Sequence, residues 1–340
     1  MTDRLASARN EALELKRQIE VTREKKNDTT LIDAASHVPP LARLQMKCVR
    51  KMPGHLSKVL SLHWAADSRH LLSASQDGKL LIWHAVSGNK VAIIPLKSAW
   101  VMTCAYSPNG NLVASGGLDN IVSVFPVKTR DRPILPCREL ASHTGYISCI
   151  RFVSDRQLLS SSADQSVILW DLETRKKVQS FTEHSEDIMS VSMAPDNSTF
   201  VSGGLDKVAR IWDLRTGRSV QHFPGHELDI NAVQFFPSGL AFGTASDDST
   251  CRIFDIRADR ELVKFTDRKV NAPATSLSFS RSGRVLFAAY DDFRCIAWDT
   301  LKARRVAEFE SGTRVSQLQV SPDGNGLATA SWDTTVKVWV

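Results

Sequence analysis

The stretch Ser202-Gly203-Gly204-Leu205-Asp206-Lys207-Val208-Ala209-Arg210-Ile211-Trp212-Asp213 decides how this chain folds. It joins a strand end made of small residues to an Asp, and six residues beyond that Asp stands an aromatic. The same spacing recurs from Asp77 to Trp83, Asp119 to Phe125, Asp164 to Trp170, Asp248 to Phe254, Asp292 to Trp298 and Asp333 to Trp339. The seven copies lie 42, 45, 42, 42, 44 and 41 residues apart. A period of roughly 40–45 residues with a Trp-Asp ending predicts an all-β, seven-bladed propeller of four-stranded blades.

A second landmark keeps the same period. A His precedes the aromatic by 28 residues (27 in the third copy) at His55, His143, His184 and His226, with Gly before it at Gly54 and Gly225. This Gly-His…Trp-Asp pattern resembles the WD-repeat superfamily over about 300 residues. Its residue types suit a donor–acceptor chain at one end of a blade, where leaving a buried member unpaired would cost roughly 1–3 kcal/mol. The expected structural network comprises His55, Asp77 and Trp83; His143, Asp164 and Trp170; His184, Asp206 and Trp212; and His226 with Asp248. His184, Asp206, Ser202 and Trp212 could be mistaken for a hydrolase constellation. A catalytic nucleophile occurs once, however, and this set recurs around the ring.

Seven repeats over residues 41–340 use nearly all of the 340 residues as one ring, large enough to bury a core. Lys and Arg number 43 against 37 Asp and Glu, a net charge of +6 with both signs scattered. The absence of a Lys/Arg block argues against a nucleic-acid partner. Cys48, Cys104, Cys137, Cys149, Cys251 and Cys295 form no CxxC pair, so a reduced intracellular protein without a zinc site is expected, and no cofactor. The N-terminal Met-Thr-Asp-Arg-Leu opens no apolar leader, and no run reaches membrane-spanning length. Thr2 and the Val-Trp-Val ending fit neither myristoyl nor prenyl attachment, so any membrane association has to come from another molecule.

Residues 1–40 read as a helical, coiled-coil segment distinct from the propeller. From 3 to 26 there is no Gly or Pro, and Leu5, Ala8, Ala12, Leu15, Ile19 and Thr22 fall at 3-4-3-4-3 spacing. That narrow apolar seam on a charged helix implies a partner helix, since three heptads alone are marginal. The alternative is an amphipathic arm on the protein's own blades; the heptad register favours the coiled coil. Asp28 or Thr29 could cap a second short helix ending near Ser36, before Pro39-Pro40. The seventh copy stops at its aromatic, so the strand at 44–51 is expected to complete that blade and close the ring, removing an open sheet edge.

Lining up the copies separates constant from variable positions. Three residues after the His slot come Lys58, Trp100, Tyr146, Asp187 and Asp229; five after it come Leu60, Met102, Ser148, Met189 and Asn231. Just before the framework Asp come Gln76, Leu118, Leu205, Asp247, Asp291 and Trp332. Trp100 and Trp332 are not framework aromatics. A rim bearing Trp, Tyr, Met and Leu among Lys and Asp has the composition of an interface core. The competing reading, that the two tryptophans merely plug the central channel, leaves the neighbouring carboxylates unexplained.

Further stretches narrow the likeness. Gly54-His55-Leu56-Ser57-Lys58, Ser73-Ala74-Ser75-Gln76-Asp77-Gly78-Lys79-Leu80, Trp100-Val101-Met102-Thr103-Cys104-Ala105-Tyr106, Gly116-Gly117-Leu118-Asp119-Asn120 and Asp229-Ile230-Asn231-Ala232-Val233 resemble the beta subunits of heterotrimeric G proteins. So do Ser246-Asp247-Asp248-Ser249-Thr250-Cys251-Arg252 and Ser331-Trp332-Asp333. The resemblance implies a non-enzymatic transducer at the cytoplasmic face of the plasma membrane. It implies an obligate gamma subunit pairing with Leu5, Ala8, Ala12, Leu15 and Ile19 and lending its prenyl anchor. It implies a GDP-bound alpha subunit, and later effectors, on Lys58, Trp100, Met102, Leu118, Asn120, Tyr146, Asp187, Met189, Asp229, Asn231, Asp247 and Trp332. Lys79, Leu81 and Lys90 match the side face that receives alpha's N-terminal helix.

Three departures from that family stand out. Leu60 replaces a usual Tyr, His84 replaces the Asp after the first aromatic, and Glu310-Ser311-Gly312-Thr313 lacks the seventh His, so an incomplete network is expected there. The second and sixth copies also lack the His. No GxxxxGK cradle is present, which leaves nucleotide chemistry to a partner. The rivals are another WD-repeat scaffold, which would lack the heptad arm, and a propeller hydrolase, which would need a once-only nucleophile or metal cluster.

Overall fold

A computed structural model describes residues 2–26, 29–127, 135–267 and 269–340; for 2–6, 8, 16, 20 and 23–26 only the backbone is described. Asp28 falls outside this set. Two compact units are present, Met1–Pro40 and Leu41–Val340.

The first unit holds a helix over Thr2–Lys26, as its lack of Gly and Pro permits. Ala12, Leu15 and Ile19 are exposed on it, and so are Leu13 and Val21, which lie outside the seam. The side chains of Leu5 and Ala8 lie outside the described residues. A second helix runs over Leu31–Ala34. Its cap is Thr30, not Asp28 or Thr29: Thr30 Oγ1 accepts the Asp33 N–H at 3.2 Å and donates to Asp33 Oδ2 at 2.6 Å, so the side chain three residues on decides which hydroxyl caps.

In the second unit the described residues form seven four-stranded antiparallel sheets, the blades of a propeller. Blades 1 to 6 each take four consecutive strands, and blade 7 pairs Cys48–Pro53 with Thr335–Trp339. Leu44 and Lys47, just before that strand, are held by backbone hydrogen bonds to Val306 and Val340. The core lies between blades. Leu71, Leu81 and Trp83 of blade 1 pack with Ala328, Ala330, Val336 and Val338 of blade 7.

The innermost strands of adjacent blades do not pair with each other. Their inward N–H groups would be orphaned, and polar side chains next door satisfy them. Ser61 Oγ accepts from Cys104 N, Thr103 Oγ1 from Ile150 N, Ser190 Oγ from Val233 N and Ser276 Oγ from Leu318 N, at 3.1–3.2 Å. Gln234 and Gln317 do the same for Phe279 N and Leu62 N at 2.9 Å. These clasps account for Ser61, Thr103, Ser190 and Ser276, buried in otherwise apolar innermost strands.

Small residues at the strand end have a steric origin. A Cβ on Gly204 would lie 2.1 Å from the Asp187 carbonyl oxygen, and one on Gly203 would lie 2.7 Å from Ile230 and Val233 of the next blade. The bulge between Ile188 and Ser190 brings the Asp187 carbonyl close enough to accept the Leu205 N–H at 2.9 Å.

Candidate functional site

The constant residues form the expected chains. His184 Nδ1 meets Asp206 Oδ2 at 2.7 Å, its Nε2 meets Ser202 Oγ at 2.6 Å, and Trp212 Nε1 donates to the same Oγ at 2.7 Å. His55, Ser73, Asp77 and Trp83 repeat this, as do His143, Ser160, Asp164 and Trp170. His226 joins Asp248 and Thr244, with Phe254 in the aromatic slot. Ser202 has no exposed surface and already takes two bonds, so no substrate can reach it. Burial alone would raise the Asp164 and Asp248 carboxyls; hydrogen bonds from His143 with Ser166, and from His226 with Thr250, outweigh it and hold both well below the usual range.

Asp occurs in all seven copies while His occurs in four because Asp has a second task. Its Oδ1 accepts the N–H two residues on in every blade, at 3.0–3.3 Å. The residue between is left-handed each time: Gly78, Asn120, Gln165, Lys207, Ser249, Phe293 and Thr334, with φ from 61° to 73°. The carboxylate stabilises a turn that L-residues otherwise resist.

In blade 7 the chain from Asp to aromatic is not continuous, yet its polar groups have partners. Ser311 occupies the His slot, and buried Lys337 fills the space: its Nζ lies 2.9 Å from Asp333 Oδ2 and donates to the Ser311 carbonyl. Trp339 Nε1 donates to Thr329 Oγ1 at 3.0 Å. Blade 6 is the bare case. Val270 and Ala288 stand in the His and Ser slots, and the buried Trp298 N–H makes no hydrogen bond among the described residues. His84 also does the work of the Asp it replaces. Its Nδ1 accepts the Ser87 N–H at 3.2 Å, as Asp171 Oδ1 accepts the Thr174 N–H at 3.3 Å.

The variable residues form a rim where the innermost strands begin. Trp100 is 53% exposed and Leu118 50%, joined through Leu118 N to the Trp100 carbonyl at 3.0 Å. Tyr146 Oη donates to Asp187 Oδ2 at 3.1 Å and lies 3.8 Å from Met189 Sδ. Burial, then Asp187, pushes the Tyr146 hydroxyl up to about 12. Asn231 Nδ2 donates to Asp247 Oδ1 at 2.6 Å and to the Ala274 carbonyl, while the Asp229 carbonyl accepts the Asp247 N–H. Asn120 Nδ2 reaches the Thr144 carbonyl at 3.2 Å. Lys58 Nζ sits 3.6 Å from the centroid of the Trp332 ring. The Tyr146–Asp187, Asn231–Ala274, Asn120–Thr144 and Lys58–Trp332 contacts link neighbouring blades, so these rim side chains are held in place before any partner arrives.

Met102, Met189 and Asn231 line the mouth of a central channel of about 510 Å³, as does Leu60. Trp100 and Trp332 are not among its lining residues. Lys79 is half-buried on the blade 1 turn. Lys90 is exposed, with its Nζ 3.4 Å from the Gly54 carbonyl. Leu81 is corrected: at 1% exposure it packs between blades 1 and 7 and offers a partner no side chain.

Two residues escaped the reading from sequence. Arg314 lies with its guanidinium carbon 4.6 Å from the Trp332 centroid and its Nε 2.9 Å from Asp291 Oδ1. Counting back from the aromatic, instead of forward from a His that blade 7 lacks, would have found it. Leu56, 80% exposed beside His55, carries no periodic signal.

A family model described as G protein beta WD-40 repeat protein matches residues 2–340. The chain is 56% identical over 342 residues to the guanine nucleotide-binding protein subunit beta of Dictyostelium discoideum, covering 100% of this chain and 99% of that one. It is 53% identical over 336 residues to the guanine nucleotide-binding protein G(I)/G(S)/G(T) subunit beta-1 of Homarus americanus, covering 98% of this chain and 99% of that one.

Proposed function

The chain belongs to the G protein beta WD-40 repeat family, and from that premise we propose how its surfaces are used. The family is a set of non-catalytic signalling scaffolds within heterotrimeric G proteins. In this chain the rim receives the GDP-bound alpha subunit, with Trp100 and Leu118 as apolar anchors and Lys58, Asp187, Asp229 and Asp247 as the charges that set register. When GTP reshapes alpha, the rim is released and the same residues engage effectors. Sharing one surface makes the two bindings exclusive, which is the regulation.

The helix Thr2–Lys26 pairs with a gamma subunit through Ala12, Leu15 and Ile19, together with Leu5 and Ala8. A lipid on gamma then holds the dimer at the cytoplasmic face of the plasma membrane. No helix among the described residues is long and apolar enough to cross a membrane.

The observation that carries the reading is Trp100: a large indole half in solvent on a rim otherwise fixed by side-chain hydrogen bonds. Replacing Trp100 with Ala is expected to weaken alpha-GDP binding about 30-fold or more, the loss of a buried aromatic anchor. Gamma binding and the thermal melt should stay as they are. Calorimetry with purified alpha-GDP measures it, and an unchanged affinity would refute the rim assignment. For the helix, a Leu15→Glu/Ile19→Glu pair is expected to abolish co-purification of gamma; normal recovery would refute that half.

A further inference from the structure

We propose that a cavity between blades 1 and 2, at the end of the ring away from the rim, is a binding site for a small organic cation, an ammonium carried on an apolar body. Its volume of about 420 Å³ falls in the usual range for small-molecule sites. It lies where the innermost strands Val59–Trp64 and Val101–Tyr106 finish, between the turn that carries Asp67 and the turn at 108–111. Ala65, Ile82, Val91, Pro108 and Val127 form its apolar wall. Among the described residues that line it, Asp67 alone carries a fixed charge.

The Asp67 carboxylate is held in place and has room for one more donor. Its Oδ1 accepts the N–H groups of Arg69 and His70 at 2.8 and 3.0 Å, and its Oδ2 accepts His70 Nδ1 at 2.6 Å. Three of about four acceptor sites are then filled. Burial would raise this carboxyl, but those bonds outweigh it and hold it below the usual range, so it is ionised at neutral pH. Arg69 contributes only its backbone N–H here, and its exposed side chain is not part of the cavity wall. A second carboxylate stands at the facing turn, where Asp155 Oδ1 accepts the Asn109 N–H at 3.0 Å.

Tyr106 lies in the core between blades 1 and 2 and is 5% exposed, and its hydroxyl has no hydrogen-bond partner among the described residues. Burial, and then the Asp67 charge, raise that hydroxyl, which puts its oxygen on the Asp67 side of the ring. Asp67 lines this cavity and not the central channel. An unbonded phenol oxygen and a carboxylate with a site to spare therefore stand together against an apolar wall, where leaving polar groups bare is costly. An ammonium donates to both, while its apolar body packs on Ile82, Val91 and Val127. An anion would face Asp67 with no described Lys or Arg in the wall to offset it, and an uncharged apolar ligand would leave both oxygens as they are. The cavity shares no residue with the rim, so this ligand and a rim partner can be bound together.

The full chain, co-purified with its gamma subunit, is titrated at neutral pH with 2-phenylethylamine, 2-phenylethanol and phenylacetate, binding being read by calorimetry and ligand-observed NMR. Saturable 1:1 binding of the amine is expected, with the alcohol about tenfold weaker or more and no binding of the carboxylate. Asp67→Asn should weaken the amine about tenfold or more, and Tyr106→Phe about threefold or more. Val91→Trp should abolish binding by filling the cavity from a strand edge where Val91 is 53% exposed, so the fold loses little. Equal affinity for amine and alcohol, several weak equivalents per chain, or no saturable binding of the amine overturns the proposal. So does unchanged amine affinity in any of the three variants. If Asp67→Asn does not fold, Tyr106→Phe and Val91→Trp decide, since the first removes one atom with no partner to lose and the second alters an exposed position.

Discussion

Blades 4 and 7 make the same turn with different chemistry. In blade 4 His184 links Asp206 to Ser202 and, through that hydroxyl, to Trp212. In blade 7 no His is present; Lys337 brings a positive charge to Asp333 from within the strand, and Trp339 finds Thr329 separately. The Asp, the left-handed residue after it and the aromatic survive in both. The turn is therefore the requirement, and the hydrogen-bonded chain is one of several ways to keep the Asp ionised and in place. Blade 6 makes the point from the other side, holding Asp292 with Arg294 while its Trp298 N–H has no hydrogen-bond partner among the described residues.

The sharpest way to break this comparison is to remove the Asp from each blade. Asp333→Ala strands the Lys337 ammonium in a buried site, and is expected to cost about 3–5 kcal/mol. Asp206→Ala leaves His184 Nδ1 short of a partner and removes the carboxylate 3.9 Å from Arg210 Nε, and is expected to cost about 2–3 kcal/mol. Chemical denaturation of the two variants measures the difference. Equal losses would mean that Lys337 is not held by its charge. Next in size is the hydroxyl. Ser202→Ala should cost about 1–3 kcal/mol by leaving His184 and Trp212 unsatisfied, while Ala288→Ser in blade 6 should gain up to about 1 kcal/mol by giving Trp298 an acceptor.

How legible was this in the sequence? The ring and its turns were, because a period of 40–45 residues repeats every framework position seven times and a chance match cannot. Lys337 was not. Val336-Lys337-Val338 alternates like any strand with one wet face, and only the Ser in the distant His slot opens the space that buries it. Leu81 failed for a related reason: its place in the strand matches a surface position by motif, but the neighbouring blade covers it. The clasps from Ser61, Thr103 and Ser190 to the next blade were invisible too, since a sequence shows strand faces and not what lies across a joint. Rim positions emerged from their variation, yet Arg314 was lost with the landmark used to count it.

Acid separates the blades more gently. His55 is pushed below its ordinary value by burial, against the pull of Asp77, and His63 is lowered to about 3. A His depressed in the fold is protonated more readily in the unfolded chain, so its contribution is intact above about pH 6.5 and fades as pH falls toward the folded value. The Asp206 and Asp333 carboxyls are lowered as well: burial opposes it, but the His184 bond for one and the Thr335 and Lys337 bonds for the other prevail. Their share is intact above about pH 4 and is lost only below it. Melting temperature should therefore decline in two stages, first between about pH 6.5 and 4, then more steeply. His63→Gln should flatten the first stage and leave the second. A melt constant down to pH 4 would show that these imidazoles are not neutral in the fold.

The smallest expected effect tests the turn itself. Phe293 holds φ of 73° in blade 6, where blade 2 uses Asn120 and blade 1 Gly78. A left-handed conformation costs a bulky L-residue about 1–2 kcal/mol, and Asn bears it with less penalty because its side chain can bond locally. The Phe293 ring is 47% exposed, so trimming it forfeits little burial. Phe293→Asn should therefore stabilise the chain by about 0.5–1 kcal/mol, whereas Gly78→Ala should destabilise it by a similar amount, since its new Cβ would meet Ala99 and Ser98 at 3.2–3.3 Å. If Phe293→Asn lowers the melt, the ring is contributing contacts that outweigh its backbone cost, and blade 6 then keeps its turn by packing as well as by the carboxylate.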